Sequence, residues 1–377
     1  MTALAALALA IWLYLVFARG GFWRAGERER GAAAPPIWPE VVAVIPARDE
    51  AQTIGATLAS LLAQDYRGRL RIVLVDDESA DGTAGFARAA AGGSDRLEIV
   101  AGSATPQGWT GKLWAVAQGV AQAGAPDYLL LSDADIAYER DALSGLVSRA
   151  QAEGLALHSL MARLRCVSGP ERFAIPAFVY FFQMLYPFAW VNDPTRRTAA
   201  AAGGCMLVRR EALAAVGGIE AIRGSLIDDC ALAALLKRRG PIRLSLAERV
   251  TSLRRYPDFT EIRRMVVRSA YAQLRYSPAL LAFTLVAMGV VFVAPAGAAL
   301  AGQGAARALG LAAWALMATS LQPTLRDYRV CPAWGFALPM IAALYAFWTV
   351  ESALASARGR GGLWKGRFQE RGARSPP

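Results

Sequence analysis

The stretch from Tyr128 to Asp135 constrains the fold more than any other part of the chain. An apolar run of strand length, Tyr128–Leu131, is followed by Ser132 and then by two alternating carboxylates, Asp133 and Asp135. In an open α/β sheet, ligands bind beyond the carboxyl ends of the strands. Two carboxylates that converge there repel each other unless a cation lies between them. Mg²⁺ or Mn²⁺ would bind both and could also hold a diphosphate, whereas two solvated turn aspartates are the alternative.

Apolar runs of strand length alternate with helical stretches between Val41 and about Tyr256. The strands are predicted at Val41–Ile45, Arg71–Val75, Leu97–Val100 and Tyr128–Leu131, with Leu155–Leu164 and Cys205–Val208 as further candidates. The helices are predicted at Glu50–Gln64, Thr83–Ala91 and Lys112–Gln122. This βαβ alternation predicts an α/β fold with a mostly parallel central sheet.

Polar side chains follow the first two predicted strands, at the same sheet edge as Asp133. Pro46, Arg48 and Glu50 come after the first strand, and Asp77 comes after the second. A nucleotide needs such an edge, with carboxylates for the base or ribose and donors for phosphate. Other nucleotide folds are disfavoured. Residue 106 is Pro where the first glycine of a phosphate-binding loop would stand, Leu113 replaces its Ser or Thr, and no Gly-x-Gly-x-x-Gly follows a strand.

The composition indicates a membrane protein rather than a soluble nucleic-acid binder. The 377 residues are 55% hydrophobic and carry a formal net charge of +11, without one aromatic-interleaved basic patch. An uncharged run from Thr2 to Ala18 precedes several arginines, which is the order expected for an uncleaved anchor with a cytoplasmic C-terminal flank. Three more apolar runs, Leu280–Ala301, Ala308–Leu321 and Ala333–Val350, predict C-terminal spans.

Two aspects of the membrane topology stay open at this point. Three spans after a cytoplasmic domain would put the C-terminal tail outside, yet the tail is basic and should stay inside. Its basic residues are Arg358, Arg360, Lys365, Arg367, Arg371 and Arg374. An even number of crossings would remove the conflict. The aromatic stretch from Phe173 to Val191 is interpreted as an interfacial or acceptor-cleft segment, with a core helix as the alternative.

Cysteine and histidine chemistry receives no support from the sequence. The four cysteines have no Cys-x-x-Cys spacing, which argues against a zinc site or a disulfide framework. The one histidine, His158, lies in an apolar segment and is interpreted as a structural residue.

The motifs together resemble the family-2 inverting glycosyltransferases of GT-A fold. The resemblance is carried by Pro46–Glu50, Val75–Ser79, Asp133–Asp135, Gly203–Met206 and Asp228-Asp229, in that order and spacing. It covers roughly residues 40–280. The layout, which ends in a Trp364-Lys365-Gly366-Arg367 tail, is most similar to that of the hopanoid (hopene)-associated glycosyltransferases. The resemblance implies an N-terminal transmembrane anchor (1–20), a GT-A catalytic domain (40–278), C-terminal transmembrane helices (279–355) and a basic tail (356–377).

The resemblance also implies a role for each matching residue. Asp229 would be the catalytic base, where this chain has Asp-Asp in place of the family's usual Glu-Asp. Asp135 would be the principal ligand of Mg²⁺ or Mn²⁺, and Asp133 would contact the metal or the ribose. The remaining donor-binding residues would be Pro46, Arg48, Glu50 and Asp77, with Lys112 and Arg275 assisting at the diphosphate. Arg275-Tyr276 matches only the end of the family's Gln-x-x-Arg-Trp motif, since Gln273 stands one residue too close.

These features predict an enzyme that transfers a sugar from a nucleotide sugar to a lipid acceptor. The resemblance implies a UDP-sugar as the donor and a hopanoid as the acceptor. It would be a multi-pass protein of the cell inner membrane with a cytoplasmic catalytic domain and no nucleic-acid partner. The alternatives are a polysaccharide synthase, for which the spans are few, and a non-catalytic nucleotide-sugar-binding membrane protein, which the intact carboxylates disfavour.

Overall fold

The structure is a computed structural model that describes residues 1–363, 365 and 366. Its strands are β1 Val41–Ala47, β2 Leu70–Asp76, β3 Leu97–Ala101, β4 Tyr128–Ser132, β5 Ile136–Tyr138, β6 Leu157–Arg163, β7 Cys205–Arg209 and β8 Ile242–Ser252. Its α-helices are α1 Thr2–Phe17, α2 Ile54–Leu62, α3 Thr83–Ala91, α4 Gly111–Gln122, α5 Ala142–Ala152, α6 Gly169–Leu185, α7 Phe188–Asn192, α8 Arg210–Ala215, α9 Asp228–Leu236, α10 Phe259–Gln273, α11 Pro278–Met288, α12 Ala294–Ala301, α13 Gly304–Asp327 and α14 Leu338–Ala357.

The described residues form two compact units, each made of separate chain segments. The helical unit comprises Met1–Gly26, Cys166–Ala189 and Arg255–Leu363. The sheet unit comprises Glu27–Arg165 and Trp190–Arg254, together with Lys365 and Gly366 from the C-terminal end of the described chain. Residues 364 and 367–377, which include most of the predicted basic tail, lie outside the described residues.

The sheet unit contains one eight-stranded mixed sheet in the order β3-β2-β1-β4-β7-β6-β8-β5. The strands β3, β2, β1 and β4 pair in parallel, while β7 runs antiparallel to both β4 and β6. The predicted mostly parallel sheet is therefore confirmed. Every residue of β1 is buried, as expected for a parallel strand covered on both faces.

Helices cover both faces of this sheet. On one face, Ile54 and Leu58 of α2 and Leu143 of α5 belong to the same buried core as alternate residues of β1 and β2. On the other face, α4 packs closely against β1 at Gly119, where an added Cβ would lie 2.5 Å from Cγ1 of Val44. This close approach fixes how the N-terminus of α4 lies against the sheet.

Two strands, β5 and β8, were not predicted, because neither is a clean apolar run. β8 carries charged side chains that are paired with residues from other segments. Arg243 contacts Glu153 at 2.6 Å, and Arg249 contacts Glu29 at 3.5 Å. These charged residues interrupt the apolar pattern by which a strand is recognised in the sequence, although the backbone of β8 forms strand pairs in the sheet.

The helical unit contains three helices long and apolar enough to cross a membrane. They are Pro278–Ala301, Gly304–Asp327 and Pro332–Ala357, and they include the three predicted C-terminal runs. The N-terminal helix α1 is apolar but shorter. Within Pro278–Ala301 the backbone forms a π-helical turn at Gly289–Val293, and the indole Nε1 of the buried Trp12 donates to the carbonyl of Val291 at 2.7 Å.

The aromatic stretch from Phe173 to Val191 is helical, forming most of α6 and nearly all of α7. α6 begins with a reciprocal cap: Ser168 Oγ accepts from the amide of Glu171, and the Glu171 carboxylate accepts from the amide of Ser168. The same buried carboxylate accepts from the amide of Tyr256 at 2.8 Å. Glu171 therefore ties the start of α6 to the chain before α10, within the helical unit.

Candidate functional site

The predicted site residues of the sheet unit follow the carboxyl ends of β1, β2 and β4. These three strands are neighbours and run parallel, so their ends lie at one edge of the sheet. The antiparallel β7 begins at the same edge, because Cys205 pairs with Ser132, the last residue of β4. The chain before β7 therefore faces the loop that carries Asp133 and Asp135.

Arg48 joins the loops that follow β1 and β2. Its Nη1 donates to the backbone carbonyl of Asp77 at 2.5 Å and lies 3.6 Å from the Asp77 carboxylate. Asp77 has no exposed surface. The pairing keeps a charged carboxylate inside the protein, where an unpaired one would be strongly disfavoured. The role of Asp77 toward the base or ribose stays a prediction.

Residues 49–53 form a turn rather than the start of a helix, so α2 begins later than predicted. The amide of Glu50 donates to Thr83 Oγ1 at 2.9 Å, and the amide of Ala51 donates to the Asp81 carboxylate at 2.9 Å. These bonds connect the loop after β1 to the segment after β2. Asp49 has a left-handed backbone, with φ 50°, and the turn leaves the Glu50 side chain only partly buried.

Lys112 is the central cation of the candidate site. From the first turn of α4, its Nζ lies 2.8 Å from Oδ1 of Asp133 and 3.2 Å from Oδ2 of Asp228. Desolvation alone would lower the pKa of Lys112, but Asp133, Asp228 and Asp229 raise it well above its ordinary range. The ammonium group therefore stays charged and joins the loop after β4 to the start of α9.

Asp229 is held by backbone amides on two sides. Its Oδ2 accepts from the amide of Gly203 at 2.9 Å, and its Oδ1 accepts from the amide of Cys230 at 2.7 Å. Desolvation and the neighbouring Asp228 raise the pKa of Asp229 to about 6, while Lys112 and the two amides oppose that shift. A carboxylate fixed in this way and ionised at neutral pH has the properties of a general base.

Gly203 lies between the base candidate and the lysine. A Cβ placed on Gly203 would be 3.4 Å from the Asp229 carboxylate and 3.5 Å from Lys112 Nζ. At the next residue, a Cβ on Gly204 would be 3.0 Å from Ile136. Of the glycine pair singled out in the sequence, Gly204 allows a close approach to Ile136, whereas a side chain at Gly203 would make only ordinary contacts with the two charged groups.

Asp135 is surrounded by other acidic groups. Desolvation raises its pKa to about 6, with further contributions from the charges of Asp133 and Glu50. Its carboxylate accepts from Ser252 Oγ at 3.3 Å, and its carbonyl accepts from the amide of Leu253 at 2.7 Å. The end of β8 therefore orients Asp135. Sequence reasoning did not find this contact, because it did not find β8.

The donor set fits a hard divalent cation. Asp133 and Asp135 supply oxygen ligands, and a cation between them would relieve their mutual repulsion, which adds to the desolvation that raises the pKa of Asp135. Among the described residues there is no ready cluster of three or more Asp, Glu, His or Cys ligands. Further ligands would have to be oxygen atoms from a diphosphate or water, as is usual for Mg²⁺.

The sequence matches a known protein family, and the fold is similar to that of solved structures. The family model described as "Glycosyltransferase like family 2" matches residues 39–272. The chain belongs to this family. It is a glycosyltransferase, and the sheet unit has the α/β architecture of the GT-A fold. No curated protein sequence matches the chain.

Solved structures similar to this glycosyltransferase include one of comparable length. The mannosyltransferase PcManGT from Pyrobaculum calidifontis, in complex with GDP-Man and Mn²⁺, is 21% identical with a TM-score of 0.58; the match covers 93% of this chain and 99% of that one. S. aureus TarS is 14% identical, with a TM-score of 0.42 and coverage of 62% and 40%. The glucosyl-3-phosphoglycerate synthase of M. tuberculosis is 19% identical, with a TM-score of 0.40 and coverage of 67% and 81%. At these identities the likeness concerns the fold.

The remaining predicted residues are distributed as follows. Pro46 lies in β1 and lines a small cavity with Lys112, Gly203 and Asp228. Arg275 belongs to the helical unit, just after α10, and its role at the diphosphate stays a prediction. In the same unit, Gln273 donates to the hydroxyl of Tyr186 at 2.5 Å.

One residue of the sheet unit was seen in the sequence but given no site role. Lys365, from the Trp364–Arg367 tail, lies with its Nζ 2.7 Å from Oε1 of Glu50. Trp364 and Arg367 lie outside the described residues. The only signal in the sequence was a basic residue in a tail motif, and nothing local indicated a contact with Glu50.

Proposed function

We propose that this glycosyltransferase is an inverting, membrane-bound enzyme that moves a sugar from a nucleotide-sugar donor to the hydroxyl of a lipid, with a hopanoid as the expected acceptor. The observation that carries the proposal is the Asp229 carboxylate. It is fixed by the amides of Gly203 and Cys230 and lies next to Lys112, which also contacts Asp133. A base and a diphosphate-binding group are thus side by side.

In the proposed reaction, Asp229 accepts the proton of the acceptor hydroxyl while that oxygen attacks the anomeric carbon of the donor sugar. The bond between the sugar and the nucleoside diphosphate breaks as the new glycosidic bond forms, so the anomeric configuration inverts and no covalent enzyme intermediate forms. Lys112, whose charge is secured by three aspartates, attracts the departing diphosphate.

Asp135 and Asp133 would hold the divalent cation. When bound, Mg²⁺ or Mn²⁺ would neutralise charge on the leaving nucleoside diphosphate. The likeness in fold to a mannosyltransferase in complex with GDP-Man and Mn²⁺ supports a metal and a nucleotide sugar as ligands. It leaves the nucleotide open between UDP, the family's usual choice, and GDP.

Membrane attachment is proposed from the helical unit. Three helices have the length and composition of spans, and α1 would add an N-terminal anchor. A lipid acceptor would then be presented at the interface while the soluble donor arrives from the cytoplasm, as in a protein of the cell inner membrane.

The decisive experiment supplies membranes that contain the protein with a panel of radiolabelled nucleotide sugars, followed by lipid extraction and mass analysis. We expect one sugar per lipid, joined to it by a β-glycosidic bond when the donor is α-linked, and almost no labelled lipid from Asp229→Asn membranes. Long glycan chains would instead identify a polysaccharide synthase. Unchanged turnover in Asp229→Asn would refute Asp229 as the base.

A further inference from the structure

The C-terminal end of the described chain enters the charged cluster of the donor site. Besides its contact with Glu50, Lys365 Nζ donates to the backbone carbonyl of Asp49 at 2.9 Å. The carbonyl of Lys365 accepts from Nε of Arg48 at 3.3 Å. Lys365 therefore binds, through both its side chain and its backbone, to the loop after β1 that carries two predicted donor-binding residues.

These contacts are largely shielded from solvent. The exposed fraction of the side chain is 20% for Lys365, 17% for Glu50 and 16% for Arg48. A contact between oppositely charged groups in such a place is screened far less than a surface ion pair. The backbone of Lys365 is left-handed, with φ 46°, a conformation that a residue with a side chain seldom adopts without compensating contacts.

The charge of Glu50 matters because the donor is an anion. Glu50 acts electrostatically on Asp135, so it lies in the same charged environment as the pair that would hold the metal. An uncompensated carboxylate there would repel a nucleoside diphosphate. Lys365 cancels that charge from a position more than 300 residues away in the chain.

We propose that Lys365 is a positioning residue of the donor site, which neutralises and fixes Glu50 so that the pocket accepts the diphosphate of the donor. This inference rests on the proposed function, since it assigns a role in binding the same donor. It gives Lys365 of the C-terminal tail a function beyond membrane topology, because this residue completes the site that the loop after β1 begins.

The test compares nucleoside diphosphates with the matching nucleosides, which lack the charged diphosphate. Binding of UDP, GDP, uridine and guanosine to the full-length protein in nanodiscs is measured by calorimetry at fixed Mn²⁺ concentration. For Lys365→Met we expect about a tenfold or greater loss of affinity for the diphosphate that binds the wild type, as for loss of one charged hydrogen bond. The affinity for the matching nucleoside should change little, and Lys365→Arg should retain most of the diphosphate affinity.

A second variant isolates the mechanism. In a Glu50→Gln background, the further Lys365→Met change should cost much less diphosphate affinity, because no carboxylate is left to neutralise. Arg358→Met is the matched control, since Arg358 is an exposed basic residue of the same tail, and its diphosphate affinity should equal that of the wild type.

Every other result overturns the inference. Tighter binding by Lys365→Met would make the tail an inhibitory latch, and equal losses for nucleoside and diphosphate would make Lys365 merely structural. Wild-type affinity in Lys365→Met would remove any role at the site. If the wild type binds neither diphosphate, the proposed function itself fails, which is a different outcome from diphosphate binding that ignores Lys365.

Discussion

At the scale of single residues, the site is a row of acidic and basic side chains that alternate along one edge of the sheet. Asp77 contacts Arg48, and Lys365 contacts Glu50. Further along the edge, Asp133 contacts Lys112, which contacts Asp228. Each of these cations neutralises carboxylates from segments distant in sequence. The arrangement can hold several acidic groups close together and still attract an anionic donor.

The pH dependence of transfer should report the pKa of Asp229. That pKa is raised to about 6, so this proposed base is ionised at pH 7 and becomes protonated as the pH falls through 6. With saturating metal, kcat/KM should fall about tenfold per pH unit well below pH 6, as for loss of one essential base. A profile that stays flat down to pH 4.5 would contradict this assignment.

Replacing the base should affect the chemical step rather than donor binding. For Asp229→Asn we expect kcat to fall by about 10²–10⁴-fold, the usual contribution of a general base. The affinity for nucleoside diphosphate, measured by calorimetry, should stay within a few-fold of the wild type. A variant with full kcat would assign the base elsewhere.

Removing the charge of Lys112 should shift the acid limb of the pH profile. Lys112 lowers the pKa of Asp229, so Lys112→Met should raise that pKa and move the limb to higher pH. Activity at pH 7 should therefore fall more than activity at pH 8.5. The exposed Arg88 offers the control Arg88→Met, whose profile should match the wild type; an unshifted limb in Lys112→Met would refute the coupling.

The metal requirement should depend on Asp135. For Asp135→Asn we expect the Mn²⁺ concentration that gives half-maximal activity to rise by at least about tenfold, since even partners outside the ligand set cost about 10–100-fold. Chelation with EDTA should abolish transfer by the wild type and Mn²⁺ should restore it. Activity that survives complete chelation would remove the metal from the proposal.

At the scale of elements, helix–sheet packing decides where the charged residues lie. α4 carries Lys112 in its first turn and packs against β1 through Gly119. The cap of α4 is Thr110, whose hydroxyl accepts from the amide of Leu113 at 3.3 Å. The position of Lys112 is therefore set by a glycine two turns away as well as by its own ion pairs.

Gly119→Ala should destabilise the sheet unit and reduce activity. The new Cβ would lie 2.5 Å from Val44 and 3.1 Å from Val75, so helix or side chains must move, at a cost of about 1–3 kcal/mol for such overpacking. Thermal unfolding in detergent would measure the loss. The control Gly85→Ala, in α3 with no atom within 4 Å, should instead stabilise by about 0.5–1 kcal/mol. Equal behaviour of the two variants would contradict this account of α4.

At the scale of the whole molecule, the chain leaves the sheet unit after Arg254 and returns to it at Lys365. Three helices of membrane-spanning length lie between these points. Lys365 contacts Glu50 of the sheet unit, so in the proposed membrane-bound enzyme the chain lies on the same side of the membrane at both points. We therefore expect an even number of complete crossings between them, with one of the three helices not crossing fully.

This parity predicts the side on which the C-terminus lies. A fluorescent protein fused after Pro377 should fluoresce in the cytoplasm, and alkaline phosphatase at the same place should be inactive. The same reporters inserted before Glu40, just ahead of β1, should give the same readings. Opposite readings at the two places would contradict the parity.

Local patterns were sufficient to predict much of this protein. The strands β1 to β4, the helix α3 and the three long apolar helices each show their apolar pattern within one short stretch of sequence. The site residues after β1, β2 and β4 were predictable because parallel strands bring their carboxyl ends to one edge. The order of motifs along the chain was sufficient to predict the family.

Only the tertiary structure determined the pairings between distant segments. The charges of β8, whose partners lie on other segments, interrupt its apolar pattern, and the turn at residues 49–53 is joined by hydrogen bonds to Thr83 and Asp81, which lie about thirty residues away. The contact of Lys365 with Glu50 has no local signal at all. Hydrophobic periodicity is a property of neighbouring residues, so it can be read from the sequence. An ion pair between residues far apart in the sequence depends on the distance between the two charges, and only folding sets that distance.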